Sequence, residues 1–260
     1  MDSYAPDIPP LPGPDEPAPP DGVLVHLGID GCVRLRLRID AAVLAAELAR
    51  LPDAAWQSAD RDPVVHAHVD SFFVIGHARG PLPLPPEDRT PLAALPRLRE
   101  LLRTTVPATP VRGIVQRLHG GGLIPIHTDT RRYFDRTVRL SFHIASDGPQ
   151  RLYCNGAWYT AAPGEVWAID NLHPHGVPNR GAAARINVVA DYEPSPALIA
   201  LLLAGETGLG QRDDDASRTL QAQTQSHYRR RRWQSLRYEL GKLWRRRVLG
   251  IVAGSAQSAR

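Results

Sequence analysis

The chain has little cysteine and no long hydrophobic run. Only two cysteines, Cys32 and Cys154, occur in 260 residues, and their spacing is not that of a paired motif. This argues against a disulfide framework and against a cysteine-based zinc site, and it fits a reducing compartment. No segment has the length of a transmembrane helix, and the start of the chain lacks the basic and apolar stretches of a secretory signal. We therefore expect a cytoplasmic protein.

Proline, in contrast, is abundant. The 25 prolines are too many for a helical protein and suit a chain of short strands and turns. Residues 1–21 are proline-rich and acidic, so we expect a disordered leader there, with a partner-binding segment as the alternative. The remainder has enough apolar residues to build the core of one domain of ordinary size.

Hydrophobic periodicity predicts two helices and a set of strands, most of which follow the second helix. Apolar residues at helical spacing predict helices over residues 41–51, capped by Asp40, and over residues 91–104. Alternating or apolar runs between turn residues predict strands over residues 23–27, 33–39, 64–75, 111–118, 137–145, 150–153, 157–159, 165–169 and 185–190. This order predicts a mainly β fold with flanking helices, in the form of an open barrel or jelly roll.

A candidate metal site lies within the strand-like sequence. His127 and Asp129 are two residues apart, so an ideal strand points both side chains to one face. A later loop supplies two more histidines, His173 and His175. Two imidazoles and one carboxylate can hold a ferrous ion on one face and leave the opposite positions open for substrate and oxygen.

The His-x-Asp pattern occurs a second time, at His68 and Asp70, so spacing alone does not identify a site. On a strand, His66 would share a face with these two residues, and we interpret that face as partly solvated or as lining a cleft. His127 differs in its context, because a glycine run and an apolar stretch precede it. We therefore expect the metal at His127 and not at His68.

Arg185 follows His175 by ten residues and is a candidate for a fixed cation. A guanidinium pairs bidentately with a carboxylate, and inside a barrel its burial is offset only when such an anion is bound. We expect it to hold a dicarboxylate co-substrate, with an exposed strand arginine as the alternative. His143 is a candidate donor to the same co-substrate or else a hydrogen-bonded core histidine, and Ser141 shares its face. A ferrous site with such a cation predicts an oxygenase.

Five landmarks follow one another along the chain: a glycine loop with its following strand, a histidine-bearing strand, a turn and strand, a His-x-Val-x-Asn motif and an arginine-bearing strand, at residues 118–129, 139–144, 163–171, 175–179 and 185–191. In this order they resemble the aspartyl/asparaginyl β-hydroxylase-like branch of the Fe(II)/2-oxoglutarate dioxygenases. The resemblance spans residues 92–192 and implies a double-stranded β-helix, a cupin-like jelly roll. The family's spacing from the second metal histidine to the arginine selects His175 over His173.

The resemblance also implies site residues and a reaction. Fe(II) would be bound by His127, Asp129 and His175. The co-substrate 2-oxoglutarate would be bound by Arg185, His143 and Ser141. The reaction would hydroxylate an unactivated C–H of an amino acid, a peptidyl side chain or a lipid acyl chain, using O2 and releasing succinate and CO2.

Two positions, at which members of the family differ, bear on the reaction and on the substrate. Asp129 is retained where some members lack the carboxylate, which favours hydroxylation over halogenation. Ser141 stands where peptide-hydroxylating relatives carry an arginine, which argues against an aspartyl-peptide substrate. Two alternatives stay open at this point: a non-catalytic jelly-roll binding module with a structural or absent metal, and a cupin oxygenase that needs no 2-oxo acid.

The chain divides into three predicted parts. They are the leader over residues 1–21, a dioxygenase domain over 22–205, and a polar linker with a basic amphipathic helix over 206–260. Within the dioxygenase domain we expect helical and strand support over residues 22–110 and the β-helix core over 111–195. Apolar residues at three- and four-residue steps among many arginines predict that helix over residues 227–248. It would contact an anionic membrane surface, dock on its own domain or form a weakly ordered tail, and we expect no specific nucleic acid.

Overall fold

Antiparallel β-strands form most of the regular structure. The structure is a computed structural model, and it describes residues 22–57, 62, 64–76, 87–129 and 132–230. The described strands are β1 Cys32–Arg38, β2 Val69–Ile75, β3 Pro110–Leu118, β4 Leu123–His127, β5 Val138–Ala145, β6 Gln150–Cys154, β7 Ala157–Ala161, β8 Glu165–Ile169, β9 His175–Pro178 and β10 Arg185–Tyr192. The predicted leader lies outside the described residues.

The strands form two sheets. The larger sheet has the order β1-β8-β5-β10-β3-β2, and the smaller sheet has the order β4-β9-β6-β7. All of the pairings between these strands are antiparallel. From β3 to β10 the chain passes repeatedly from one sheet to the other, which is the topology of a double-stranded β-helix, or jelly roll. The predicted fold class is therefore confirmed.

Helices flank the sheets. They are α1 Gly22–His26, α2 Ala41–Leu48, α3 Pro96–Glu100, α4 Pro196–Leu203 and a helix over residues 214–230, which we call α5. Asp40 caps α2 as expected, because its side chain accepts a hydrogen bond from the backbone N of Val43 at 3.1 Å. Leu44 and Leu48 of α2 pack into the main core cluster with Leu198 of α4.

Strand β5 shows how the core and the barrel interior are separated. Leu140, Phe142 and Ile144 belong to the main core cluster, together with the helices. The alternate residues Arg139 and Ser141 line a cavity between the two sheets. This two-residue alternation, which any strand imposes, places polar side chains inside the barrel.

Two strand predictions are wrong in part. Of residues 23–27, all but Leu27, which lies in a turn, belong to helix α1, where Val23 and Leu24 are buried. A short apolar run does not distinguish a strand from a buried helix. Residues 64–68 form turns instead of the start of β2. The carboxylate of Asp62 accepts hydrogen bonds from the backbone N of Val64 and of Val65, which holds that turn.

The helix predicted over residues 91–104 is interrupted. A 3-10 turn over Thr90–Ala94 precedes α3, and a π-helical turn over Leu101–Thr105 follows it. The break lies at Leu95, whose backbone angles are φ −126° and ψ 64°. Leu95 precedes Pro96, and the proline ring disfavours the helical conformation in the residue before it.

The polar linker predicted after residue 205 is wrong for the residues that the structure describes. Residue 206 pairs with Arg34 of β1, and Gln211 pairs with Trp158 of β7 through two backbone hydrogen bonds of 2.9 Å. In α5, Thr224 accepts a hydrogen bond from the backbone N of Ile126 at 3.1 Å, and the Tyr228 hydroxyl donates to the Ile126 carbonyl at 3.3 Å. The polar composition of residues 214–230 did not indicate that they form a helix with one buried side.

The predicted basic helix over residues 227–248 falls mostly outside the described residues. Its first four residues continue α5. None of the helices in the described part of the chain combines the length and the apolarity that a membrane crossing requires.

Candidate metal centre

His127, Asp129 and His175 come together at one end of the smaller sheet. His127 is the last residue of β4, His175 is the first residue of β9, and the two are register partners. One ligand atom from each of the three side chains lies within 4.8 Å of the others. This spacing suits one shared ion with two imidazole ligands and one carboxylate.

Asp129 does not lie on the strand that carries His127. Strand β4 ends at His127, so the prediction that one strand presents both side chains is wrong. The loop is held instead by a backbone hydrogen bond of 3.0 Å from the N of Asp129 to the carbonyl of Asn171. That bond places the carboxylate beside the two imidazoles.

Each of the two imidazoles has a defined orientation. The Nδ1 of His127 donates to the carbonyl of Pro125 at 2.8 Å, and the Nδ1 of His175 donates to the carbonyl of His173 at 2.9 Å. A carbonyl only accepts, so Nδ1 carries the proton and Nε2 carries the lone pair of each neutral ring. Such a second bond fixes the ring of a metal-ligating histidine.

The protonation states also suit a metal. Burial lowers the pKa of His175 to about 4, and the nearby His127 acts in the same direction. Burial raises the pKa of Asp129, but the charge of Arg139 and the two histidines outweigh it, so the net pKa lies well below the usual range. At neutral pH His175 is therefore neutral and Asp129 is ionised, as metal ligands must be.

Asp129 has two further contacts, which the sequence pattern did not single out. Arg139 Nη1 and Asn171 Nδ2 both donate to its Oδ2, the latter at 3.1 Å. Arg139 also donates through Nε and Nη2 to the fully buried Asp191 at 2.8 and 3.2 Å. One signal was present in the sequence, because Arg139 shares the inward face of its strand with Ser141.

A cavity of about 70 Å³ lies beside the triad, between the two sheets. His127 and His175 line it, and among the described residues its wall carries three guanidinium groups and no carboxylate, from Arg112, Arg139 and Arg185. Aliphatic side chains of both sheets form much of the remaining wall. Arg112 and Arg139 are paired with Asp191 and Asp129, so among the described residues Arg185 supplies the charge that favours an anionic ligand here.

Arg185 is buried in this cavity with incomplete hydrogen bonding. Only 3% of its surface is exposed, and its Nη2 lies 3.3 Å from the Nδ1 of His143. Neither Nε nor Nη1 has a hydrogen-bond partner among the described residues. Burial lowers the pKa of Arg185 to about 10, so the side chain remains a cation at neutral pH. Unsatisfied donors on a buried cation are unfavourable until an anion binds them.

His143 and Ser141 lie next to Arg185 on the inner face of β5. Burial, together with the charge of Arg185, lowers the pKa of His143 well below its usual value. Since arginine only donates, the neutral ring accepts at Nδ1 and carries its proton on Nε2, which has no partner in the described part of the chain. Ser141 is 1% exposed and lines the cavity, whereas His143 reaches it only through Arg185.

The other candidate histidines lie outside the group of three. His173 Nδ1 bonds to the carboxylate of Asp170 at 2.6 Å. His68 Nδ1 accepts a hydrogen bond from the backbone N of Leu123 at 3.1 Å. Among the described residues, His68 belongs to no group of three potential metal ligands. His66 lines the cavity, with its ring centroid 6.2 Å from that of His127.

No protein-family model matches this sequence, and no curated protein matches it at a significant level. Solved structures do match. One is an oxidoreductase of the 2OG-Fe(II) oxygenase family from Burkholderia pseudomallei, at 17% identity and a TM-score of 0.45, covering 63% of this chain and 84% of that one. Another is a prolyl hydroxylase from Trichoplax adhaerens, in complex with a hypoxia inducible factor peptide fragment, at 13% identity and a TM-score of 0.43, covering 68% and 90%. A third is a Pseudomonas putida prolyl-4-hydroxylase, at 16% identity and a TM-score of 0.40, covering 66% and 97%. The jelly-roll class of this chain rests on its own strand order.

Proposed function

We propose that the protein is an Fe(II)- and 2-oxoglutarate-dependent dioxygenase that hydroxylates an unactivated C–H of an amino acid, a peptidyl side chain or a lipid acyl chain. The supporting observation is that a His-Asp-His group borders the same cavity as the buried Arg185, two of whose nitrogens have no hydrogen-bond partner among the described residues. The landmarks of the sequence assign the protein, within this proposal, to the aspartyl/asparaginyl β-hydroxylase-like branch.

The residues present fit an iron ion. Nε2 of His127, Nε2 of His175 and Oδ1 of Asp129 would hold it, because the other ring nitrogens and the other carboxylate oxygen are already engaged. When bound, the iron supplies the redox chemistry that couples oxygen to the oxidation of 2-oxoglutarate and of the substrate.

The cavity also fits a dicarboxylate. The cation of Arg185 would pair with the distal carboxylate, which would accept from Nε or Nη1, the two nitrogens that have no partner among the described residues. The hydroxyl of Ser141 is a further donor on the wall of the cavity, and His143 would contribute to co-substrate binding by accepting from Nη2 of Arg185. No carboxylate among the described residues lines the cavity, and the charge of Asp129 beside it is paired with that of Arg139.

The protein's own contribution is to position the reactants and to exclude water. Aliphatic side chains such as Ile114, Leu152 and Val189 line the cavity between the charged groups. An apolar wall lowers the local dielectric constant, which strengthens the pairing of Arg185 with a carboxylate. It also keeps water from competing with the substrate at the reacting centre.

An anaerobic titration tests this function. Fe(II) and 2-oxoglutarate added together should produce a metal-to-ligand charge-transfer absorption in the visible range, and admission of air should yield succinate. Replacing His127 with alanine should abolish both signals. Absence of both signals in the unaltered protein would contradict the proposal and favour a non-catalytic binding module with the same fold.

A further inference from the structure

The two oxygens of the Asp129 carboxylate have different surroundings. Oδ1 lies 4.0 Å from the Nε2 of His127, on the side of the candidate metal centre. Oδ2 accepts hydrogen bonds from Arg139 and from Asn171. The carboxylate therefore presents one oxygen to the imidazoles and has the other occupied.

Arg139 is held rigidly where it meets Oδ2. Asp191 binds it through two nitrogens, and the guanidinium carbon of Arg139 lies 4.7 Å from the ring centroid of Phe134. Asp191 is fixed in turn, because Arg112 pairs with it at 3.0 Å and the Tyr133 hydroxyl donates to it at 3.0 Å. A guanidinium with this many partners cannot follow a carboxylate that moves.

Asn171 holds Asp129 twice. Its backbone carbonyl accepts from the N of Asp129 at 3.0 Å, and its side-chain amide donates to Oδ2 at 3.1 Å. Asn171 is 5% exposed, so water does not readily replace these bonds. Asn171 is also neutral, and its removal changes the hold on Oδ2 without changing the charge of the site.

We propose that Arg139 and Asn171 are positioning residues that keep Oδ2 of Asp129 away from the ion, so that the carboxylate provides a single ligand oxygen. This inference rests on the proposed function. Three single-atom ligands leave three positions of an octahedral ion open, two for a chelating 2-oxo acid and one for oxygen. A carboxylate that binds through both oxygens occupies one of those positions.

Arg139 has two opposite effects on the affinity of the site for a metal. Its positive charge repels a divalent cation, while its hydrogen bond fixes the ligand oxygen. The affinity of an Arg139 variant for a metal therefore combines two opposite effects. The affinity of an Asn171 variant reports positioning alone, because no charge changes.

Co(II) alone provides the test, because its visible absorption depends on coordination number and geometry. The full chain, freed of metal, is titrated with Co(II), and binding is followed by calorimetry and by absorption. N171A should keep a stoichiometry of one and bind about 10- to 100-fold more weakly, the usual loss when a residue that orients a metal ligand is removed. Its Co(II) spectrum should change, because Oδ2 of Asp129 is then held by Arg139 alone.

The role of Arg139 is tested by the Co(II) spectra of two variants, one that removes the charged donor and one that keeps it. R139Q should change the Co(II) spectrum in the same direction as N171A, and R139K, which can still donate to Oδ2, should retain the original spectrum. R117Q is the matched control, since Arg117 pairs with Asp70 away from the centre, at 2.9 Å, and it should behave like the unaltered protein. If R139Q does not fold, N171A decides by itself.

The outcomes separate the inference from the function on which it rests. An N171A variant with the affinity and the spectrum of the unaltered protein would overturn the positioning role and leave the metal site standing. Failure of the unaltered protein to bind Co(II) would instead refute the metal site, and the positioning role with it.

Discussion

Replacing Arg185 with methionine should have opposite effects on stability and on co-substrate binding. Burial lowers the pKa of Arg185 from 12.5 to about 10. At about 1.4 kcal/mol for each tenfold change, this corresponds to a cost of about 3 kcal/mol for keeping the charged side chain in the metal-free protein. Methionine fills a similar length without a charge. R185M should therefore raise the free energy of unfolding by up to about 3 kcal/mol.

The same substitution should weaken the binding of 2-oxoglutarate. Two donors of Arg185, Nε and Nη1, have no partner among the described residues and are available to a carboxylate. Because Nε–H and Nη1–H point to different sides of the guanidinium, one carboxylate accepts from one of them, and a hydrogen bond between charged groups contributes about 1.5–3 kcal/mol. The dissociation constant of 2-oxoglutarate should therefore rise about 10- to 10²-fold.

Urea denaturation of the metal-free protein measures the first effect, and anaerobic titration of the charge-transfer absorption measures the second. R151M is the matched control, because Arg151 pairs with Asp213 near the surface with 34% of its side chain exposed, and its loss should not stabilise the protein. An R185M variant no more stable than the unaltered protein would refute the inference that Arg185 is buried without adequate partners. An unchanged affinity for 2-oxoglutarate would refute its role as the clamp.

Three further predictions follow from the site. H127A should lose both metal binding and succinate formation, whereas H68A should retain both; equal loss in the two variants contradicts the assignment of the metal to His127. The metal-free protein should lose stability as the pH falls from about 6.5 towards 4, because the pKa of His175 is about 4 in the folded chain and the unfolded chain binds the proton first; urea midpoints that do not change over this range would exclude the buried neutral ring. D191N should lower the free energy of unfolding by about 3–5 kcal/mol, since it leaves Arg139 buried without its main partner; a loss no larger than that of D213N, a change at a partly exposed surface residue, would contradict the buried ion network.

The strands of the core could be predicted from the sequence, because short-range periodicity determines them. The alternation in β1 and the apolar runs of β5 and β8 are local signals, and these strands appear within a residue or two of the predicted bounds. Helix α1 could not be predicted in the same way, since five residues of mixed apolar sequence fit a strand or a helix equally well. Helix α5 was also missed, because its polar composition conceals the one face that is buried.

The three candidate metal ligands could be predicted from the sequence, because their spacing along the chain is recognisable. His127, Asp129 and His175 form recognisable intervals, and the structure brings them together. Asp191 is 62 residues from Asp129, and only the pairing of β10 with β5 brings it to Arg139. No local pattern carries that information. The two cysteines show the same limit, since Cys32 and Cys154 share one buried cluster despite their distance in sequence.

The chain after residue 205 covers backbone groups that would otherwise attract other molecules. Residue 206 pairs with the outer side of β1, Gln211 pairs with β7, and Thr224 and Tyr228 hydrogen-bond to the backbone of Ile126 in β4. These are one outermost strand of the larger sheet and both outermost strands of the smaller sheet. Unpaired outer strands promote aggregation and domain swapping. This segment therefore protects the barrel from self-association, and shortened forms that end before it should precipitate even if their metal site is intact.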